Sequence, residues 1–445
     1  MRLPATALLI VLTLLLPALS QAQPIIVDPQ VLQQLQETIR QQQQQLQLQA
    51  EQIAIQARTL QALQQQVQSM QQTAASPEAV RAAAAPPPLP SPAPVLSSGN
   101  DKIKLSLSGQ INRAVNITND GGSTKLYPVD NDASNSRIRL VGTARISDDL
   151  TLGTRLELSI APDESSVVSQ NNQAPGDYFN QRWAEVSLAS KRFGKLSLGK
   201  GDTASNTTAE ADLSRTNVVQ YAGISDISGG MRFTYKTGGY IPYPGSTDSK
   251  DKTLKVSDVF KSGDGLSRQS RLRYDTPTWN GFRLAGSLIS NQQSDIALYW
   301  GGEGYGFKAE GAVAVANPKI TNAGLLYDGS FSLLHSASGL NLTLAGAILD
   351  KEATEDRTNL YVKLGWLTTP VSLGSTAFGV DYTRSEHAAR AGDRAWSVGA
   401  AMVQAFEKWA TEVYFQYRIY ALDRADGSAP VANINVGTFG ARVKF

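Results

Sequence analysis

The sequence predicts an all-β membrane protein: an antiparallel transmembrane β-barrel of about 16 strands, preceded by an α-helical coiled coil. Three observations carry the prediction. An export signal opens the chain, no later stretch is long and apolar enough for a spanning helix, and from residue 102 segments of alternating polarity recur down to the last residue, Phe445.

The first element is the signal. Arg2, the apolar run Ala5 to Leu16, Pro17 and the small-residue site Ser20-Gln21-Ala22 predict a signal peptide over 1–22, cleaved before Gln23. A heptad seam follows: Leu32, Ile39, Leu46, Ile53, Leu60 and Val67 recur every seven residues, with Leu35, Leu63 and Met70 three further on. Gln42, Gln49 and Gln56 hold the second core position in the middle of the seam, where they favour one register and strand number. Residues 23–72 therefore read as a coiled-coil helix that trimerises with its own copies. Residues 73–101 are rich in Ala and Pro, an extended, semi-rigid spacer.

The barrel is expected over 102–445. In Arg268 to Leu288, Leu272 and Tyr274 oppose Arg271, Arg273 and Asp275. After a Pro/Asn/Gly turn, Phe282, Leu284 and Leu288 oppose Arg283, Ala285 and Ser287. The first strand runs from Ile103 to Ile117, with Arg113 breaking its apolar face. Others are read near Asn135 to Ser147, Leu150 to Ile160, Phe179 to Ser190 and Lys195 to Gly201, and nine more follow the hairpin, the last near Asn433 to Phe445. Short turns alternate with longer loops, and an even count lets the sheet close, since lipid cannot satisfy the polar groups of an open edge. One connection, about 202–266, is far longer than the rest and so is expected to be functional. It holds Thr208 to Arg215, a short helical candidate carrying Glu210, Asp212 and Arg215.

Five segments together carry a resemblance. They are Leu107-Ser-Gly-Gln-Ile-Asn-Arg-Ala-Val115, Phe193-Gly-Lys-Leu-Ser-Leu-Gly199, Thr208-Ala-Glu-Ala-Asp-Leu213, Arg273-Tyr-Asp-Thr-Pro-Thr-Trp-Asn-Gly-Phe282 and the terminal Val443-Lys-Phe445. In their order the mature chain resembles the trimeric general porins of Gram-negative outer membranes, and more narrowly the DcaP-like porins with a periplasmic coiled coil. The resemblance implies a homotrimer in the outer membrane among lipid and lipopolysaccharide. It also implies a loop folded inward as the constriction, here with Glu210, Asp212 and Arg215, and a C-terminal aromatic, here Phe445, read by the assembly machinery.

Inward positions gather cations: Arg137, Arg139, Arg145, Arg155, Arg271, Arg273, Arg283 and Arg418, with Arg442 and Lys444 near the end. Guanidinium groups in a narrow bore attract small anionic solutes and offer paired contacts to dicarboxylates. Glu157, Glu185, Asp275, Glu310, Asp381 and Glu412 share that face, so part of the column is expected to be paired.

Other classes find little footing. The net charge of +2 argues against a nucleic-acid partner, and the absence of cysteine excludes disulfides and thiolate metal sites. His335 and His387 lack ligand spacing, no Gly-x-Ser-x-Gly elbow occurs, and Gly199-Lys-Gly201 is no phosphate loop, so neither enzyme, metal nor cofactor is expected. A passive porin is the leading reading. A substrate-specific sugar or phosphate channel is the alternative in transport, although Trp300, Trp366 and Trp396 fall on the outward parity, as a belt rather than a sugar track. An envelope tether, its coiled coil in contact with the cell wall, is the alternative outside transport; a trimeric adhesin, built from a few strands per chain, fits less well.

Overall fold

The computed structural model describes residues 96–100, 102–176, 179–245 and 252–445, together with Glu37 and Arg40. The expectations for the signal peptide, the coiled coil and most of the spacer lie outside the described residues.

Eighteen strands are present among the described residues. β1 is Leu96–Gly99, β2 Ile103–Asn119, β3 Thr124–Asp130, β4 Arg137–Arg145, β5 Leu150–Ile160 and β6 Phe179–Ser190. β7 is Gly194–Asp202, β8 Arg268–Asp275, β9 Phe282–Ile289, β10 Ser294–Gly304, β11 Phe307–Asn317 and β12 Ala323–His335. β13 is Leu340–Lys351, β14 Arg357–Val371, β15 Gly374–Glu386, β16 Arg394–Phe406, β17 Thr411–Asp423 and β18 Ile434–Lys444. Each of β4 to β18 pairs antiparallel with its successor, and β18 pairs with β2, which pairs with β4. The wall is thus a closed barrel of sixteen strands, β2 plus the fifteen from β4 to β18.

The two remaining strands complete β2. β3 pairs with its second half, Arg113 to Asn119, while β4 pairs with its first half, Ile103 to Gln110. Together they occupy one wall position, interrupted by the turn Asp132–Ser134. Alternation does not mark residues 118–134 as a strand, because this interruption breaks it. The same interruption explains Arg113, whose guanidinium donates to the Pro162 carbonyl at 2.7 Å and lies 3.7 Å from Asp130. On the other flank of β2, β18 covers Gln110 to Asn119, the Phe445 carbonyl accepts from the Gly109 amide at 2.6 Å, and β1 covers Lys104 to Leu107. No edge of β2 is left for lipid or another chain to pair with.

Short turns and the C-terminus share one end of the barrel, and the longer connections share the other. Alternation sets the faces: Leu272, Tyr274, Leu284 and Leu288 are exposed outward, whereas Arg271, Asp275, Ala285 and Ser287 are buried inward. The 203–267 connection folds into the barrel and follows its inner wall. The backbone N–H groups of Ala211, Asp212 and Leu213 donate to Ser330 Oγ, Glu310 Oε1 and Ser332 Oγ at 2.8, 2.8 and 2.9 Å. Those wall acceptors are why the expected helix at 208–215 does not form. Inward wall side chains take up the N–H groups that a helix would use, and the segment runs as turns and extended chain.

Further along, the connection buries Val218, Val219, Ile224, Ile227, Phe233 and Phe260 against Tyr127, Tyr361, Tyr414 and Tyr420 of the wall. Part of a barrel interior that alternation marks as polar is therefore a dry core. Gly379 makes room for it: a Cβ there would stand 2.2 Å from the Gln220 amide oxygen.

Candidate functional site

Glu157 on β5 is the hub. It is 0% exposed, and four guanidiniums face it. Arg139 Nε lies 2.6 Å away, Arg182 Nε 2.7 Å, Arg155 Nη2 2.8 Å and Arg137 Nη1 3.9 Å. Register brings them together: Arg139 pairs with Glu157 across β4 and β5, and Glu157 pairs with Trp183 across β5 and β6. The Trp183 ring packs under the guanidiniums of Arg155, at 3.5 Å, and Arg268, at 4.7 Å. Four cations face this one carboxylate, and with Asp132 and Asp202 within electrostatic reach of Arg137, Arg155 and Arg182 the cluster still keeps an excess of positive charge. Arg139 and Arg155 keep 37% and 27% of their side-chain surface open to the interior.

Alternation alone does not place Arg182 at this site. Strict alternation from Glu185 and Trp183 turns it outward, but the register slips between Glu157 and Leu158, where Arg182 is the extra residue that turns toward the carboxylate. The column continues toward the short-turn end through Ser134, whose hydroxyl accepts from Arg137 at 2.9 Å and Arg442 at 2.7 Å. Arg442 in turn donates to Glu412 at 2.6 Å, which also meets Lys444 at 3.2 Å. A cavity of about 350 Å³ opens beside these residues, bounded on the far side by Asp212, Arg215 and Lys308.

Not every cation of the sequence reading faces open water. Arg271, 5% exposed, is taken up by Glu185 and by the carbonyls of Asp202 and Gly199 at 2.8 and 3.0 Å. Arg418, 1% exposed, grips Asp381 with two bonds of 2.8 and 2.6 Å. The expectation that these two line a bore is corrected: both are wall braces, because the carboxylates that share their face lie within reach across one intervening strand. Arg273 is held by Asp275 at 2.9 and 2.8 Å, and Arg283 by Asp275 and the face of Tyr299. Arg145 sits exposed at the short-turn end, apart from the cluster.

The inserted segment divides its charged residues. Asp212 and Arg215 lie away from the arginine cluster, Asp212 on Lys363 at 2.5 Å and Arg215 on Ser375 Oγ at 2.9 Å with Glu407 at 3.8 Å. Lys363 was also missed, although the alternation of its strand marks it as inward. Glu210 belongs with Asp226 and Asp264, carboxylates of the same connection. Crowding inside the barrel and the neighbouring acids raise Glu210 and Asp226 well above the carboxylate range and push Asp264 up to about 6. Glu164, in the loop before β6, is pushed up to about 7 by burial and by Asp132. Burial thus weakens the charge of acids within electrostatic reach of the arginines, Glu164 near Arg182, and Glu210 and Asp264 near Arg268. Among the described residues no cluster of His, Cys, Asp and Glu could hold a metal ion. Phe445 closes the barrel, its N–H donating to the Gly109 carbonyl at 3.0 Å.

Comparisons with known proteins agree with this architecture. No curated protein matches the chain. Among solved structures, an anion-selective porin from Comamonas acidovorans superposes with a TM-score of 0.51 at 16% identity, over 77% of this chain and 100% of that one. A loop-deletion mutant of the outer-membrane protein OmpT of Vibrio cholerae gives a TM-score of 0.50 at 14% identity, over 78% and 100%. The outer-membrane channel DcaP of Acinetobacter baumannii is also matched, with a TM-score of 0.48 at 12% identity, over 78% and 99%. The family model for Gram-negative porins matches residues 73–437. The chain belongs to the Gram-negative porin family, an outer-membrane β-barrel channel for small solutes and not an enzyme.

Proposed function

We propose that the channel favours small anions, dicarboxylates above all. The single observation behind this is the charge balance at Glu157: four guanidiniums around one buried carboxylate, with Arg139 and Arg155 still open to the interior. A solute with two carboxylates engages two such guanidiniums at once, and the acids within electrostatic reach are weakened by their raised pKa. The attraction is modest. Two unit charges 4 Å apart interact by roughly 4 kcal/mol at an effective dielectric near 20, and salt screens this further. Modest binding is what lets a solute leave. The Comamonas acidovorans porin is described as anion-selective, but at 16% identity the likeness carries fold alone, so the proposal rests on the arginines. Uptake of succinate into proteoliposomes, compared with a neutral sugar of similar size, tests it. Arg139→Gln with Arg155→Gln should slow succinate several-fold and leave the sugar nearly unchanged. Equal loss for both solutes overturns the proposal.

The same reading takes the assembly to be a homotrimer whose subunits meet on the β2 to β7 sector. Outward positions there are aliphatic, among them Ile103, Leu105, Ile111, Leu140, Leu156 and Leu198. Among the described residues of that sector, the exposed aromatics are Phe179 at a strand end and Phe193 in a turn. Elsewhere the wall carries the aromatic girdle expected at a lipid interface, with Tyr274, Phe307, Tyr327, Trp366, Phe415 and Phe439. Disulfide trapping between cysteines placed at Leu140 and at Leu156 of neighbouring copies tests this face. Cross-linked trimers support it; cross-links formed only from cysteines on β11 to β15 contradict it.

A further inference from the structure

His387 follows the last residue of β15, where the wall gives way to the connection 387–393 at the end that carries the longer loops. Its backbone is left-handed, φ 56°, and its N–H donates to the Asp393 carbonyl at 2.9 Å, so the connection leaves and rejoins the wall through this residue. The imidazole uses one nitrogen twice. Nδ1 accepts from the Gly392 N–H at 2.9 Å and also lies 2.8 Å from Glu355 Oε2, in the neighbouring connection between β13 and β14. These two contacts need opposite protonation. A lone pair on Nδ1 accepts the amide and repels the carboxylate, whereas a proton on Nδ1 pairs with the carboxylate and leaves the amide without an acceptor. On its other side the connection is braced. Asp393 is held by Arg424 and by the Ala425 N–H, each at 3.0 Å, and Arg390 donates to Asp426 at 2.6 Å. The β17–β18 connection is bonded in turn to the inserted segment, Lys236 N–H to the Pro430 carbonyl and Ala432 N–H to the Thr234 carbonyl, each at 2.8 Å. Among the described residues, His387 with Glu355 is the one ion pair that reaches from 387–393 to the β13–β14 connection.

We propose that His387 is a pH-sensitive latch between these two connections. Neutral, it closes its own loop onto Gly392; protonated, it releases that amide and binds Glu355, fastening the β13–β14 connection to the braced part of the rim. Histidine is the side chain that changes charge between pH 5 and pH 8, the range this exchange needs. The charged groups that bear on the ring are Glu355 across the gap and Glu386 beside it on β15. Glu386 is shared by Arg384 at 2.6 Å and Arg394 at 3.6 Å, and Asp393 at the far end of the connection is engaged by Arg424. From the inserted segment the neighbouring strand end receives an uncharged partner, the Val259 carbonyl, which accepts from Ser385 at 2.7 Å. Glu355 is therefore the acid left to answer the imidazole. With 62% of its side chain exposed, it is held only when the ring is charged. Acid tightens this part of the mouth and base loosens it, whatever solute the channel prefers.

The test places spin labels at Ala353 and Ala391, exposed positions on the two connections, and reads the distance between them by pulsed electron resonance on the full chain in dodecyl maltoside. With no further change, the distance distribution should be about two-fold narrower at pH 5 than at pH 8. Glu355→Gln and His387→Asn should each give the broad distribution at both pH values. Asparagine tolerates the left-handed backbone at 387 and keeps an acceptor for the Gly392 amide, so its loop still closes. Glu386→Gln, which alters the other acid beside the ring, should keep the response. A distribution that is the same at pH 5 and pH 8 overturns the proposal, and so does a Glu355→Gln variant that still narrows at pH 5.

Discussion

Asp212 of the inserted connection and Lys363 of β14 form a buried ion pair, Nζ to Oδ2 2.5 Å, the lysine 0% and the acid 3% exposed. Lys363 spends its other donors on the same connection, on Thr216 Oγ1 and the Gln220 carbonyl, each at 3.0 Å. This lysine thereby fastens the segment to the far wall, opposite the arginines. Replacing Lys363 by Met strands a buried carboxylate and two acceptors, a loss of about 3 kcal/mol or more. The variant should melt earlier and conduct more, as the segment detaches. Adding Asp212→Asn should recover part of the stability. Midpoints measured by heat modifiability on gels check both; a single variant that melts and conducts like the wild type contradicts the anchor.

Arg418 and Asp381 lie on strands separated by β16 and meet above Gly399, where a Cβ would stand 2.6 Å from the guanidinium. Arg418→Met should cost about 3 kcal/mol by leaving Asp381 unpaired. Its zero-current potential should not move, because a side chain 1% exposed meets no solute. Arg139→Gln should do the reverse, with little change in stability and a shifted potential. Comparing the two variants in one salt gradient checks the division, and equal shifts contradict it.

Acidity should strengthen the anion preference. Glu164, near 7, and Asp264, near 6, lose their charge as pH falls through those values, while guanidiniums stay charged. Between pH 8 and pH 5 the permeability ratio of chloride to potassium should rise two- to three-fold. Glu164→Gln should remove the part of that rise nearest pH 7. A ratio that falls with acidity contradicts the assignment of these acids to the interior face.

The wall was legible because alternation of polarity is a local property. Leu150–Ile160 and Phe179–Ser190 were read to the residue, and Leu272 and Tyr274 were placed on the correct face. What escaped the sequence depends on relations between distant residues. β3 was missed because Asp132–Ser134 interrupts its wall position, and Arg182 because a register slip reverses its side. Whether an inward arginine faces water was equally hidden. Arg271 and Arg139 look alike in sequence, and only the register that sets Glu185 beside the first and crowds four cations on Glu157 tells them apart.

The most direct test of the central claim, that the excess guanidiniums around Glu157 make the channel favour anions, is the zero-current potential of the purified protein in a planar bilayer under a tenfold potassium chloride gradient at pH 7. The wild type should be anion-selective, and Arg139→Gln with Arg155→Gln and Arg182→Gln should bring the potential close to zero or to the cation side. A wild-type channel that selects cations, or a triple variant whose potential is unchanged, contradicts the claim.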